Sequence, residues 1–268
     1  MKIFKRAFAI VLAILVAFSI SGMALAATAV NLGTADGYAV LGGSTVTNTG
    51  PTIVNGNLGL SPGTSVTGFP PGTVNGVQHV TDAAAAQAQA DLVTAYDAAS
   101  GQTTAVTMVS GDLGGQTLTP GIYKSTSALG LTGTVTLDGQ GNPDAVFLFQ
   151  VGSALTTASA SRVLLINNAQ ACNVFWQIGS SATLGTDSNF VGTILALASI
   201  TVNTGASVSG RVLARNGAVT LDTNPVSRPT CAAPVVVPPP PVTPTSTPAT
   251  VTATSTPVVP VLIAPPLT

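Results

Sequence analysis

Thr183-Leu184-Gly185-Thr186, Thr201-Val202-Asn203-Thr204 and Thr220-Leu221-Asp222-Thr223 repeat one short phrase at spacings of 18 and 19 residues. Each phrase follows an apolar run: Val174-Phe175-Trp176-Gln177-Ile178, then Ile194-Leu195-Ala196-Leu197-Ala198, then Val212-Leu213-Ala214. Self-similarity at such a period marks a solenoid in which each repeat is one coil. A coil of this length holds about three short strands and their corners, which suits a β-helix. A fainter copy lies upstream. Gln150-Val151-Gly152-Ser153 matches Gln177-Ile178-Gly179-Ser180, and Thr156 stands 27 residues before Thr183, so the coils are unequal in length.

Side chains alternate between the two faces of a strand. With Leu184, Val202 and Leu221 in the core, Thr183, Thr201 and Thr220 point outward, as do Gly185, Asn203 and Asp222. The second threonines, Thr186, Thr204 and Thr223, are out of phase and are expected at a corner. Stacked coils lie about 4.8 Å apart, and outward residues two apart on a strand about 6.7 Å apart. The predicted product is a flat face of regularly spaced hydroxyls and methyls.

The rest of the chain frames this block. Residues 1–26 read as a secretory signal peptide: Lys2, Lys5 and Arg6, an apolar stretch over 7–20, and the small-x-small site Ala24-Leu25-Ala26. The alternative, a membrane anchor, is disfavoured because the stretch is shorter than the ~20 residues of a span. Beyond it Lys124, Arg162, Arg211, Arg215 and Arg228 face nine Asp and no Glu. That acidic balance argues against nucleic acid, which needs a basic face. Cys172 and Cys231 in an exported chain read most simply as a disulfide, the alternative being two buried thiols. Residues 232–268, with four consecutive prolines at 238–241, read as a Pro/Thr-rich disordered linker or tail. The domain expected between these ends covers residues 27–231, with no membrane segment in the mature form.

Turn signals recur every eight to twelve residues across 27–80, which favours all-β structure. Thr64-Ser65-Val66-Thr67-Gly68 resembles Ala206-Ser207-Val208-Ser209-Gly210, so this half reads as further coils of the same solenoid. The exception is a helix over about 82–100. Thr81 or Asp82 can cap it, Gly101 can close it, and Ala85, Ala88, Leu92, Ala95, Tyr96 and Ala99 form one stripe. Leu148, Phe175, Leu195 and Leu213 fall on outward positions, and an apolar outer face needs a cover. The helix is therefore expected along that face; the alternative is that it caps one end.

Four motifs resemble the microbial ice-binding family. They are Ser44-Thr45-Val46-Thr47-Asn48-Thr49-Gly50-Pro51-Thr52, Gly68-Phe69-Pro70-Pro71-Gly72, Ala145-Val146-Phe147-Leu148-Phe149-Gln150-Val151-Gly152-Ser153 and Gly192-Thr193-Ile194-Leu195-Ala196. They occur in the family's order. The resemblance implies a mainly β fold: a right-handed discontinuous β-helix, triangular in section, with one long α-helix packed alongside and its first and last coils in contact. It also implies a flat face that adsorbs to ice. The candidate ice-binding residues are then Thr156, Thr183, Gly185, Thr186, Thr201, Asn203, Thr204, Thr220 and Thr223, with Thr45 and Thr47 from the first motif. Asp222 departs from a neutral face and is expected at its edge.

Other chemistry has little support. There is one histidine, His79, and no motif joins a nucleophile to a base. Asp138 and Asp144 loosely resemble a calcium loop, but the spacing fits neither the EF-hand nor the β-roll. The expectation is a secreted or cell-surface monomer, not an enzyme, with no cofactor or metal, whose partner is the ice crystal surface. The alternative is a cell-surface adhesin or stalk module that uses the tail as a spacer.

Overall fold

The strands stack in parallel around three faces of a β-helix. The computed structural model describes residues 27–232; the expected signal peptide and, Ala232 apart, the expected tail lie outside the described residues. One face carries the apolar runs, a second the threonine phrases, and a third the strands between them. We call these the helix face, the threonine face and the third face.

Space and sequence follow different orders. Along the threonine face the strands run Ser65–Thr67, Thr45–Thr49, Val219–Asp222, Ile200–Val202, Ala182–Leu184, Leu155–Thr157, Leu129–Leu131 and Gly111–Asp112. The first two coils of the chain therefore stack on the last, through Val46↔Val219 and Thr47↔Thr220. The chain then returns to the far end through helix α1 (Ala83–Ser100). At 1.5 Å per residue α1 is about 27 Å long, enough with its flanking loops to bridge the coils it passes.

The expected stripe is the buried one: Ala85, Ala88, Leu92, Ala95, Tyr96 and Ala99. It packs on Leu41, Ile122, Leu148, Phe175, Leu195 and Leu213 in an apolar cluster of its own. The Asp82 side chain accepts from Ala85 N at the N-cap, and His79 Nδ1 lies 2.7 Å from Asp82 Oδ2. Gly101 closes the helix with its N–H on Asp97 O but keeps a right-handed φ of −80°, so its glycine freedom is not used. Gln150 completes that end, donating Nε2 to Ala99 O and Gln102 O at 2.8 Å. Buried helix carbonyls need such partners.

Inside the solenoid the inward residues form one core. Phe149 and Trp176 stack at 3.8 Å between ring centroids, with Tyr123 beyond one ring and Phe190 beyond the other. Trp176 Nε1 donates to Val191 O. The strands Asn189–Ala196 and Ser207–Ala214 each cross from the third face to the helix face. The first turns at Gly192, whose φ is +112° and where a Cβ would lie 2.8 Å from Val174 O; Gly210 takes the matching place in the second. Cys172 and Cys231 form the expected disulfide, with Cα atoms 5.5 Å apart, and tie the end of the last coil to the start of the repeat block.

Candidate functional site

Register builds the threonine face. Thr156 pairs with Thr183, Thr183 with Thr201, Thr201 with Thr220, Thr220 with Thr47, and Thr47 with Thr67. Six threonines from distant parts of the chain thus form one column, which at about 4.8 Å per rung is some 24 Å long. Beneath them lie Leu155, Ala182, Ile200, Val219 and Val46 on one side and Leu184, Val202 and Leu221 on the other, all buried. These residues lock each rung, because a slip of one residue would turn the apolar set outward.

The hydroxyls of this column are left free by the protein. Thr47 Oγ1 donates to Thr220 Oγ1 at 3.4 Å, while Thr156, Thr183, Thr201 and Thr67 make no side-chain hydrogen bond among the described residues. Small neutral residues precede the strands: Ala154, Ser181, Ser199 and Ala218. No Lys or Arg lies on the strands of this sheet.

The candidates divide into four groups. Thr156, Thr183, Thr201, Thr220 and Thr47 share the column, and Thr45, half-buried and paired with Ser65, begins the neighbouring one. Thr186 and Thr204 are exposed in the turns that follow, and Asn203 is half-buried beside them. Gly185 was expected outward but is buried: Thr157 Oγ1 accepts its N–H, and a Cβ there would meet the Ala158 backbone at 2.4 Å. Thr223 is not the third member of a Thr186–Thr204 column. Its φ is +57°, the left-handed corner taken by Asp187 and Gly205 in the two coils beneath, and its hydroxyl donates to Asp222.

Asp222 is half-buried in the flanking column. Its carboxylate accepts from Thr204 Oγ1 and Thr223 Oγ1, which hold it toward the corner. Thr67 joins the column although the sequence does not single it out. Its segment resembles 206–210, which lies on the third face at that point, whereas Ser65–Thr67 pairs with Thr45–Thr49. The Ser-Val-Thr alternation is legible there, but the neighbour it pairs with is not.

The third face differs in chemistry. Asn75 Nδ2 donates to Asn55 Oδ1, Asn55 Nδ2 to Ser227 Oγ, and Ser207 Oγ to Asn189 Oδ1. Arg162 pairs in register with Asn189, and Ile53 and Leu164 protrude at 45 and 41% exposure. A groove of about 340 Å³ between Val191, Ser209 and Pro225 interrupts the surface.

At its lower end the threonine column changes. Gly130 follows Thr156 in register, and Asp112 follows Gly130. Asp112 Oδ1 accepts from Gly114 N at 2.6 Å and Thr132 N at 2.9 Å, and Oδ2 accepts from Thr132 Oγ1. Desolvation by its neighbours pulls the pKa of this exposed residue up, but the hydrogen bonds outweigh it and leave the pKa lowered, so Asp112 is a carboxylate at neutral pH.

The profile of the ice-binding-like family matches residues 40–227. The chain is 54% identical over 224 residues to an ice-binding protein of a Nostoc species (strain HG1), covering 83% of each chain. It resembles the crystal structure of an ice-binding protein from an Antarctic biological consortium, with TM-score 0.76 and 51% identity over 76% of this chain and 93% of that one. The ice-binding protein of the ascomycete Antarctomyces psychrotrophicus gives TM-score 0.73 and 44% identity over 75% of this chain and 98% of that one.

Proposed function

This chain belongs to the ice-binding-like family, and on that footing we propose that it adsorbs to ice through the threonine face. The observation that carries the assignment to this face is the register of six threonines whose hydroxyls the protein leaves almost wholly unpartnered. A threonine offers a hydroxyl that anchors ordered water and a methyl that excludes disordered water. Held on a rigid lattice, such groups keep water in an arrangement that merges with a crystal plane. Each contact is weak and water-mediated. Affinity comes from many contacts made together at little ordering cost, since the rungs are fixed before ice arrives. Adsorbed molecules then force the ice front to curve between them, which lowers the temperature of growth and slows recrystallisation.

The column residues Thr67, Thr47, Thr220, Thr201, Thr183 and Thr156 form the centre of the contact, with Thr45, Thr186, Asn203 and Thr204 at its margins. The protein acts as a binding protein without cofactor or catalysis, as a monomer. The signal-peptide sequence supports export, and the Pro/Thr-rich tail serves as a linker beyond the domain. The test is thermal hysteresis and recrystallisation inhibition of the purified protein before and after Thr201→Lys, at mid-column. Loss of both with unchanged thermal stability supports the reading. Retention of activity overturns the assignment to this face, and a wild-type protein without any ice activity favours the adhesin or stalk alternative.

A further inference from the structure

The six-threonine column stops two coils short of the end of its sheet, and the cause lies in two residues. We infer that the Asp112 carboxylate, laid across Gly130, sets the lower limit of the ice-contacting surface and so limits the strength of adsorption. This rests on the assignment of the threonine face to ice.

The parallel register itself continues past the end of the column. Leu129, Gly130 and Leu131 pair with Leu155, Thr156 and Thr157, and Leu129 and Leu131 are buried as their partners are. Gly130 therefore occupies the seventh rung and Asp112 the eighth. A threonine at position 130 would continue the lattice, but a Cβ there would lie 3.1 Å from Asp112 Oδ2, 3.3 Å from the backbone O of Gly111 and 3.5 Å from the Asp112 carboxyl carbon. The carboxylate crowds the place where the seventh side chain would begin, and of the two close neighbours it is the one that a substitution can remove. Its orientation is fixed by Gly114 N, Thr132 N and Thr132 Oγ1, so it does not swing aside freely.

Charge makes this limit effective. A carboxylate orients its water shell toward itself, and stripping that shell is costly. Ice offers no counter-ion to offset the cost. Water over Asp112 is thus held in a pattern that does not match the tetrahedral order above the threonines. The placement has a structural use. Gly111–Asp112 is the last strand of the sheet, and Asp112 occupies two backbone N–H groups at this edge. Charged residues at sheet edges also discourage pairing with other chains. Edge protection and ice contact compete for the same two rungs. With both rungs recruited, the column would grow from about 24 Å to about 34 Å.

The experiment compares thermal hysteresis at equal protein concentration for wild type, Asp112→Asn, Asp112→Ser and the double variant Asp112→Thr/Gly130→Thr, with thermal unfolding recorded for each. Asparagine keeps the shape and the acceptor for Gly114 N and Thr132 N while removing the charge. The expected result is a rise of about 1.5-fold for Asp112→Asn and about twofold or more for the double variant, since many weak contacts act together. Asp112→Ser serves should the asparagine variant unfold. No rise in whichever single variant stays folded overturns the inference. Thr201→Lys is run in parallel. If it loses activity while the Asp112 variants gain none, the face stands and only its limit is wrong. If it keeps activity, the face assignment itself has failed.

Discussion

The threonine face and the third face are made by the same coils, at the same spacing, from strands with the same alternation, yet they present different surfaces to water. On the third face the outward polar groups satisfy one another: Asn75 with Asn55, Asn55 with Ser227, Ser207 with Asn189. On the threonine face a single weak contact, Thr47 to Thr220, joins neighbouring rungs of the column. Asparagine is long enough to bridge a 4.8 Å step with a good hydrogen bond, whereas the threonine hydroxyl is attached too close to the backbone. If the column is the ice-contacting surface, as proposed, its useful property is unspent hydrogen-bonding capacity rather than polarity as such. The third face also carries Arg162, Ile53 and a groove, so it is neither neutral nor flat.

The largest expected difference between the two faces comes from matched lysines. Thr201→Lys should lower thermal hysteresis about tenfold or more, because one raised charge lifts the neighbouring rungs from the crystal plane as well. Ser209→Lys, on the third face, should leave it unchanged. Equal losses from both would break the comparison. A second test reaches both faces through their shared core. Trp176→Ala removes the centre of the aromatic stack and should cost about 3–5 kcal/mol in chemical denaturation. Ice activity should follow the folded fraction rather than fall ahead of it.

Smaller effects sharpen the distinction. Asn55→Ala removes two exposed bonds and leaves Asn75 and Ser227 to water, so unfolding measurements should show a loss of about 1 kcal/mol with hysteresis unaltered. Thr183→Val should do the reverse: stability within about 0.5 kcal/mol of wild type, with a modest fall in hysteresis from one missing hydroxyl. The smallest effect is that of pH. No titratable group stands between Thr67 and Thr156 in the column, so hysteresis should stay flat from about pH 5 to about pH 9, given ordinary Asp values near 3.9. Stability behaves differently in acid. Asp82 is held low by its bonds to Ala85 N and His79, and Asp91 by the hydroxyl and N–H of Thr34. With folded pKa values depressed, their contribution is present above the unfolded value of about 3.9 and is lost as pH falls through the folded values. Thermal melts below that point should show it.

Much of this was legible in the chain. The phrase at Thr183, Thr201 and Thr220 announced a stack of coils, and alternation sorted Leu184, Val202 and Leu221 inward. The outward apolar positions Leu148, Phe175, Leu195 and Leu213 demanded a cover, and the Ala-Leu-Tyr stripe of α1 supplied it. The misreadings arose where a local pattern does not specify a neighbour. The segment around Thr67 resembles a third-face strand because Ser65, Val66 and Gly68 match Ser207, Val208 and Gly210. Thr223 was grouped with Thr186 and Thr204 although its coil turns one residue earlier. Gly185 was placed outward by alternation beyond the point where the strand had ended.

Periodicity, alternation and the helix stripe are local properties, so the sequence alone determined that this protein is a solenoid with a covered face and a bare threonine-bearing one. Which coils are neighbours is not local. The family resemblance implies that the first and last coils touch, but only the tertiary structure set Thr47 and Thr67 in register with Thr220, because α1 returns the chain to the far end and closes the last coil against the first. Only it laid Asp112 over Gly130, two residues 18 apart that the parallel register makes adjacent. A solenoid's surface is read across its strands, and the lateral order of strands is set by packing rather than by order along the chain.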